Sequence, residues 1–349
     1  MRYPDFLKEN GTIGFVAPSF GCNIEPYKTA FENALKKFSG KGIKADIGPN
    51  CYEGSGIGIS NTPEKCGQEI NNYYASDKND VLISCGGGEL MCEILPYIDF
   101  ELLKESKPKW FMGYSDNTNL TYLLTTICDV ASVYGPCAAA FGMEPWHKSI
   151  EDAFALLKGK KLKFSGYKGY EKESLKNEEN PLASYNITEK KYLNIYKGSK
   201  SGKAARVDET YMSGRLIGGC MDCLVNLLGT SFDKTSEFLE KYKDDGFIWF
   251  LESCDLNVMA IRRAMWQMEN AGWFKYVKGF MIGRPLVHGE VLMGLDQYDA
   301  VTGIIGGHGV PIIMDVDLGH IPPMMPLISG SMANVSASGN NLVVDMKLI

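Results

Sequence analysis

Four short apolar runs punctuate the first 140 residues: "TIGFVAP" at 12–18, "VLISCGG" at 81–87, "KWFMGY" at 109–114 and "ASVYGP" at 131–136. Runs this short and this uniformly apolar suit strands of a sheet covered on both faces, which is how parallel sheets occur. The cover is visible between them, where "YKTAFENALKKF" sets Ala30, Phe31, Ala34, Leu35 and Phe38 at the spacing of a helix packed on one side. The alternation reads as βαβ units, an α/β fold. Ligands in such sheets sit beyond the carboxyl ends of the strands, and Ala17-Pro18-Ser19, Gly86–Gly88 and Ser115 all fall there.

The pattern changes along the chain. Residues 141–205 are polar and lysine-rich without clear periodicity and read as a linker with a candidate lid, Tyr185–Tyr196. Strand-like runs return in residues 206–349 as "FIWFLE", "KGFMIG", "PIIMDVDLG" and "NLVVDM", with one amphipathic helix, "NVMAIRRAMWQMENAGWF". Few helices and much glycine suggest a mixed sheet or partial barrel there. A chain of 349 residues with 45% hydrophobic content can bury a large core.

Charge and composition exclude several roles. The formal charge is −6 and no block of Lys and Arg lies along one face, so nucleic acid is not an expected partner. No run reaches membrane-spanning length and the start lacks a secretory pattern, so the expected location is the cytoplasm. Ten cysteines, many inside apolar runs, read as reduced buried thiols. Cys220-Met221-Asp222-Cys223 lacks a second cysteine pair and a nearby histidine, so it reads as part of a helix rather than a metal site.

The chemistry concentrates in "FMGYSDNTNL" at 111–120. A strand, a serine and an acid stand before a helix that carries Leu120, Leu123, Leu124 and Ile127 on one face. Ser115 is therefore either a helix cap or a nucleophile raised at a strand-to-helix turn. Asn117 takes the place of the second glycine of the G-x-S-x-G elbow, so an ordinary α/β-hydrolase is not indicated. The glycines at 86–88 let backbone amides approach an oxyanion or a phosphate, but the nucleotide-binding spacing is broken at Met91. A serine nucleophile needs a base. His320, just past "PIIMDVDLG", competes with His288 for that role. Glu252 closes the apolar "FIWFLE", where a carboxylate is costly unless paired, and so suits an orienting acid.

In these residues the chain resembles the serine peptidases that comprise bacterial LD-carboxypeptidases and microcin C immunity proteins. The likeness rests on "IGFVAPS", Gly87-Gly88 before "ILPYIDF", "GYSDNTNL", "YGPCAAAF", "GRLIGGCMDCL", "FLE" and "DVDLGH…PLISG", in the family's order over residues 12–330. The resemblance implies a flavodoxin-like parallel-sheet domain at 1–140 carrying Ser115, and a smaller β-rich domain supplying Glu252 and His320. It makes Ser115 the nucleophile, Glu252 the orienting acid and His320 the base, and demotes His288. The oxyanion hole maps to the backbone amides of Gly88 and Asp116, with Gly87 and Glu89 beside the substrate. No metal or cofactor is implied.

The implied substrate is a peptidyl nucleotide, as in microcin C self-immunity, or alternatively a murein tetrapeptide losing its terminal D-Ala; the partner otherwise expected is a second copy of the chain. The sequence departs from the family at Glu89-Leu90-Met91, where Asn-Ser or Gly-Ala is frequent, and at Cys220, where asparagine is common. Both lie near the expected substrate. A reading from another class, a non-catalytic nucleotide-binding protein built on the Gly86–Gly88 loop, leaves Glu252 and His320 without a role.

Overall fold

The four apolar runs become buried strands. In the computed structural model, which describes all 349 residues, β1 (Thr12–Val16), β2 (Lys44–Ile47), β3 (Val81–Ser84), β4 (Trp110–Gly113) and β5 (Ser132–Tyr134) pair in parallel in the order β2-β1-β3-β4-β5. This is the flavodoxin-like doubly wound order, with its switch point between β1 and β3. Helices α1 (Tyr27–Gly40), α2 (Pro63–Ala75), α3 (Phe100–Glu105), α4 (Thr118–Thr126) and α5 (Lys148–Leu157) accompany the sheet. Between α2 and α3 the chain forms a 3-10 helix over Met91–Tyr97 with Pro96 inside it. Proline removes a donor and clashes with the preceding turn, which disfavours an α-helix. The edge strand β2, sequence KADI and largely exposed, gave no apolar signal and was not expected.

Every residue of α4 is buried, so its polar groups must be satisfied internally. Thr121, Thr125 and Thr126 do this by donating their hydroxyls to the carbonyls of Asn117, Thr121 and Tyr122 one turn earlier.

The later chain supplies β6 (Lys163–Ser165), β7 (Gly169–Glu171), β8 (Ile187–Lys190), β9 (Asn194–Lys197), β10 (Ala205–Arg206) and the long β11 (Glu209–Cys220). Next come α6 (Met221–Leu227), α7 (Thr235–Lys241), β12 (Phe247–Glu252), α8 (Val258–Asn270) and β13 (Val277–Gly283). It ends with β14 (Val291–Leu292), β15 (Leu295–Asp296), α9 (Gln297–Ile305), β16 (Pro311–Val316), β17 (Leu327–Ser329), β18 (Met332–Ser338) and β19 (Asn341–Lys347). The mixed sheet expected here has nine strands in the order β10-β9-β16-β13-β12-β11-β18-β19-β6. Its two ends stay apart in that order, so the sheet is open. The centre, β11-β12-β13-β16, is parallel, and antiparallel strands flank it on both sides. Strand β17 joins the first sheet beside β5.

Three expectations need correction. Helices α7 and α9 are present besides α8 and the helix expected at Cys220–Cys223, which is α6; α7 has only seven residues, too few to repeat a helical period. The stretch 141–205 is not a linker: it contains α5 and β6–β9, and part of it belongs to each of two compact units. One unit comprises Met1–Lys161, Glu171–Asn186 and Met325–Ile328, and the other Leu162–Tyr170, Ile187–Met324 and Ser329–Ile349. Nor is Tyr185–Tyr196 a lid throughout, because Asn194–Tyr196 form part of β9, hydrogen-bonded to β16 on one side and to β10 on the other.

All ten cysteines carry free thiols. No helix is long and apolar enough to cross a membrane. Because α4 is enclosed on all sides, truncation there leaves a cavity: Leu123→Ala should cost about 2–5 kcal/mol, read from the midpoint of denaturant unfolding.

Candidate active site

Ser115 lies two residues beyond the end of β4, after Tyr114. Its φ is 62°, the left-handed region, which costs an L-residue roughly 1–2 kcal/mol. An N-cap residue has extended backbone and accepts an N–H with its side chain. Ser115 has a left-handed backbone instead and opens a 3-10 turn, Ser115–Asn117, whose cap position is Tyr114, while α4 is capped at Asn117 without a side-chain bond. The turn is held from neighbouring strands. The Ser115 N–H donates to the Tyr134 hydroxyl at 3.2 Å, and Asn117 Nδ2 donates to the Gly86 carbonyl at 2.8 Å and to the Tyr114 carbonyl at 3.1 Å. Sequence reasoning saw Asn117 only as a missing glycine, and missed Tyr134.

The glycine loop lies against this turn. A Cβ on Gly87 would meet the Ser115 Cβ at 3.2 Å and Oγ at 3.4 Å, so a side chain there would crowd the hydroxyl. The Phe20 N–H donates to the Gly87 carbonyl at 2.9 Å. In a trans peptide the C=O and the following N–H point in opposite directions, so this bond turns the Gly88 N–H away from Phe20. A Cβ on Gly88 would meet Ser19 Oγ at 2.1 Å, which leaves glycine as the residue that fits. Glu89 is exposed and its N–H donates to the Gly58 carbonyl at 3.1 Å. Leu90 is half-buried, whereas Met91 is fully buried, so its side chain belongs to the core rather than to a substrate surface.

Asp116 is buried, and its carboxylate accepts from Ser19 Oγ at 2.6 Å, the Met91 N–H at 2.9 Å and Asn119 Nδ2 at 3.1 Å. Burial pushes its pKa up to about 6, against the pull of these bonds. Sequence reasoning gave a role to its backbone N–H alone.

In the other unit, Glu252 is the last residue of β12 and His320 stands four residues beyond β16. The two strands are separated by β13, which ends at Gly283. A Cβ on Gly283 would meet the Leu318 carbonyl at 2.3 Å and the Glu252 Cβ at 3.0 Å, so the gap across β13 closes only over a glycine. Gly319 is equally constrained: its φ is 98°, and a Cβ would sit 2.6 Å from Glu252 Oε2.

The result is a hydrogen bond of 2.8 Å between His320 Nδ1 and Glu252 Oε2, with Glu252 fully buried and His320 13% exposed. A carboxylate only accepts, so Nδ1 carries a proton, and when the ring is neutral its lone pair is on Nε2. Burial alone would lower the His320 pKa, but the Glu252 charge and the hydrogen bond to the Cys254 thiol hold it well above the ordinary histidine range.

Neighbours fix this pair. Asp222 accepts the Cys254 N–H at 3.0 Å and the Asp255 N–H at 2.9 Å, bracing the loop that follows Glu252. Asp317, buried before His320, takes Lys191 Nζ and Arg284 Nη2 at 2.8 Å each and the Tyr167 N–H at 2.7 Å. His288 lies elsewhere, 3.6 Å from Asp315. Cys220 and Cys223 are buried, and the Cys220 thiol donates to Asp222 at 3.3 Å. No group of three His, Cys, Asp or Glu side chains is arranged to hold a metal ion.

The structure thus groups Ser115, Gly87, Gly88 and Asp116 in one unit and Glu252 with His320 in the other. Fold and sequence both find counterparts among known peptidases. The chain belongs to the LD-carboxypeptidase family: residues 13–135 match its N-terminal domain and residues 213–335 its C-terminal domain. It is 24% identical to the microcin C7 self-immunity protein MccF of Escherichia coli over 97% of this chain and 94% of that protein. It is 22% identical to a probable murein peptide carboxypeptidase of Bacillus subtilis (strain 168), over 98% of this chain and 94% of that one. A solved structure of MccF in complex with aspartyl sulfamoyl adenosine superposes with a TM-score of 0.80 at 20% identity, covering 100% of this chain and 99% of that one.

The backbone of Ser115 makes a stability prediction independent of chemistry. S115A and S115G both remove the hydroxyl, but only glycine relaxes the left-handed strain. S115G should be the more stable by up to about 1 kcal/mol in thermal unfolding, and equal stability would show that the turn is unstrained.

Proposed function

We propose that this chain is a serine hydrolase that cleaves an amide through an acyl-enzyme on Ser115. The observation that carries the reading is the left-handed Ser115 backbone just past a buried strand, with the Gly86–Gly88 loop packed against its side chain. His320 Nε2 takes the Ser115 proton as Oγ attacks the carbonyl carbon. Glu252 holds the imidazole in the required tautomer and stabilises the imidazolium. The N–H groups of Gly88 and Asp116 hold the tetrahedral oxyanion, while Gly87 and Glu89 border the substrate. Collapse breaks the C–N bond and the imidazolium gives its proton to the leaving nitrogen. Water, deprotonated by His320, then releases the acid and restores the serine.

For the substrate we favour a peptidyl nucleotide, because the similar MccF structure holds aspartyl sulfamoyl adenosine. The second reading, release of D-Ala from a murein tetrapeptide, has the support of the Bacillus subtilis relative. Incubating the protein with each compound and weighing the products separates them: nucleotide release alone supports the first, and D-Ala release alone the second. A nucleotide bound without turnover, with no labelling of Ser115 by a fluorophosphonate, overturns both. We also propose that the enzyme works in the cytoplasm as a homodimer, which light scattering at micromolar concentration tests for the assembly.

S115A and H320A should each lower kcat on the order of 10⁴- to 10⁶-fold. The pH profile carries a sign. The base must be neutral, and the Glu252 charge raises the pKa at which it becomes so. The acid limb of kcat/KM should therefore lie above the ordinary histidine value of about 6.5, and Glu252→Gln should move it to lower pH while reducing the plateau.

A further inference from the structure

We infer that the Asp116 carboxylate is a positioning residue that holds the Gly86–Gly88 loop in register with Ser115, fixing the two N–H groups of the oxyanion hole. The inference rests on the hydrolase reading for its catalytic meaning, and on geometry within one unit for its substance.

Three loops leave the sheet here, after β1, β3 and β4, and the carboxylate ties them together. Its Oδ2 accepts from Ser19 Oγ in the first loop and from the Met91 N–H at the far end of the glycine loop. Its own backbone is the residue after Ser115. Next to Ser19, Phe20 donates to the Gly87 carbonyl and thereby sets the direction of the Gly88 N–H. The glycine loop is thus held near both ends: directly through Met91, and through Ser19-Phe20 at Gly87. At the other oxygen, Oδ1, Asn119 Nδ2 donates, and the same nitrogen donates to the Asp116 carbonyl at 2.9 Å.

The chemistry calls for a carboxylate rather than an amide. Oδ2 faces two donors, and one of them, the Met91 N–H, cannot reverse its role. An asparagine that keeps its oxygen there points its NH₂ at the Asn119 NH₂, so a bond is lost or Asn119 must turn over. Protonation raises the same conflict, since a carboxyl O–H is a donor among donors. The charge of Glu89 adds to burial in favouring that acid form, which becomes populated near pH 6.

The test compares wild type, D116N, S19A and S115A, each as the full chain, by the rate of fluorophosphonate labelling and by deuterium exchange of the peptide containing Met91. A loop displaced by an ångström costs on the order of 10²-fold in rate, so D116N should label about 10²-fold more slowly at saturating probe, with half-saturation within about threefold of wild type. S19A should fall between the two. Met91 should exchange faster in D116N at an unchanged global melting temperature. In wild type the log rate against pH should steepen from a slope of one to two below about pH 6, as Asp116 adds its proton to that of His320, whereas D116N should keep a slope of one.

D116N labelling at the wild-type rate, or Met91 exchange unchanged, overturns the inference. If wild type and S115A are both left unlabelled, the hydrolase reading fails instead, and Met91 exchange in D116N still decides whether the carboxylate holds the loop.

Discussion

A carboxylate removed from water has to be given donors, and this fold meets that requirement with the N–H groups of its loops. Glu69, buried in α2, accepts the Ala17 N–H at 2.7 Å and the Asn50 N–H at 3.0 Å, holding the ends of β1 and β2 together. Asp116 does the same for the loops after β1, β3 and β4, and the half-buried Asp222 braces the loop after β12 in the same way. Loops otherwise free to move over a sheet edge are thereby pinned by groups whose own burial would be unfavourable without them. Each partner makes the other tolerable, and the carboxyl ends of both sheets take their shape from that exchange.

The two sheets use different means to aim their functional groups. In the flavodoxin-like sheet the direction comes from backbone strain at Ser115, sustained by Tyr134 and Asn117 from either side. In the nine-stranded sheet it comes from missing side chains: Gly283 and Gly319 leave the room that lets Glu252 and His320 meet across an intervening strand. The first device stores energy locally, while the second costs conformational entropy on folding.

Much of this was legible in the chain. Strands buried on both faces announce themselves as unbroken apolar runs, so β1, β3, β4, β5, β12, β13 and β16 could be read directly. The exposed edge strand β2 could not, since KADI carries no periodic signal. The stretch 141–205 looked like a linker because its strands are short and present polar residues outward, as in the ITEK of β8. A seven-residue helix such as α7 offers less than two full repeats to count. Asp296, which caps α9 through the Tyr298 and Asp299 N–H groups, was a usable signal that went unread.

The site was legible in residue type but not in geometry. Nothing in the residues themselves links Glu252 to a histidine 68 positions later, and only family likeness chose His320 over His288. A left-handed serine has no sequence signature, because it is imposed by neighbours distant in the chain. For the same reason the Asp116 side chain passed as a simple helix-start acid.

Gly319 also constrains what the gene can become. Even the smallest side chain at that position would enter the space of the Glu252 oxygen that grips the imidazole. Most glycines in loops can drift to alanine or serine through single base changes with little consequence. Here those same changes would strain the backbone and push the acid away from the base at once, so selection acting on this codon would see stability and chemistry together.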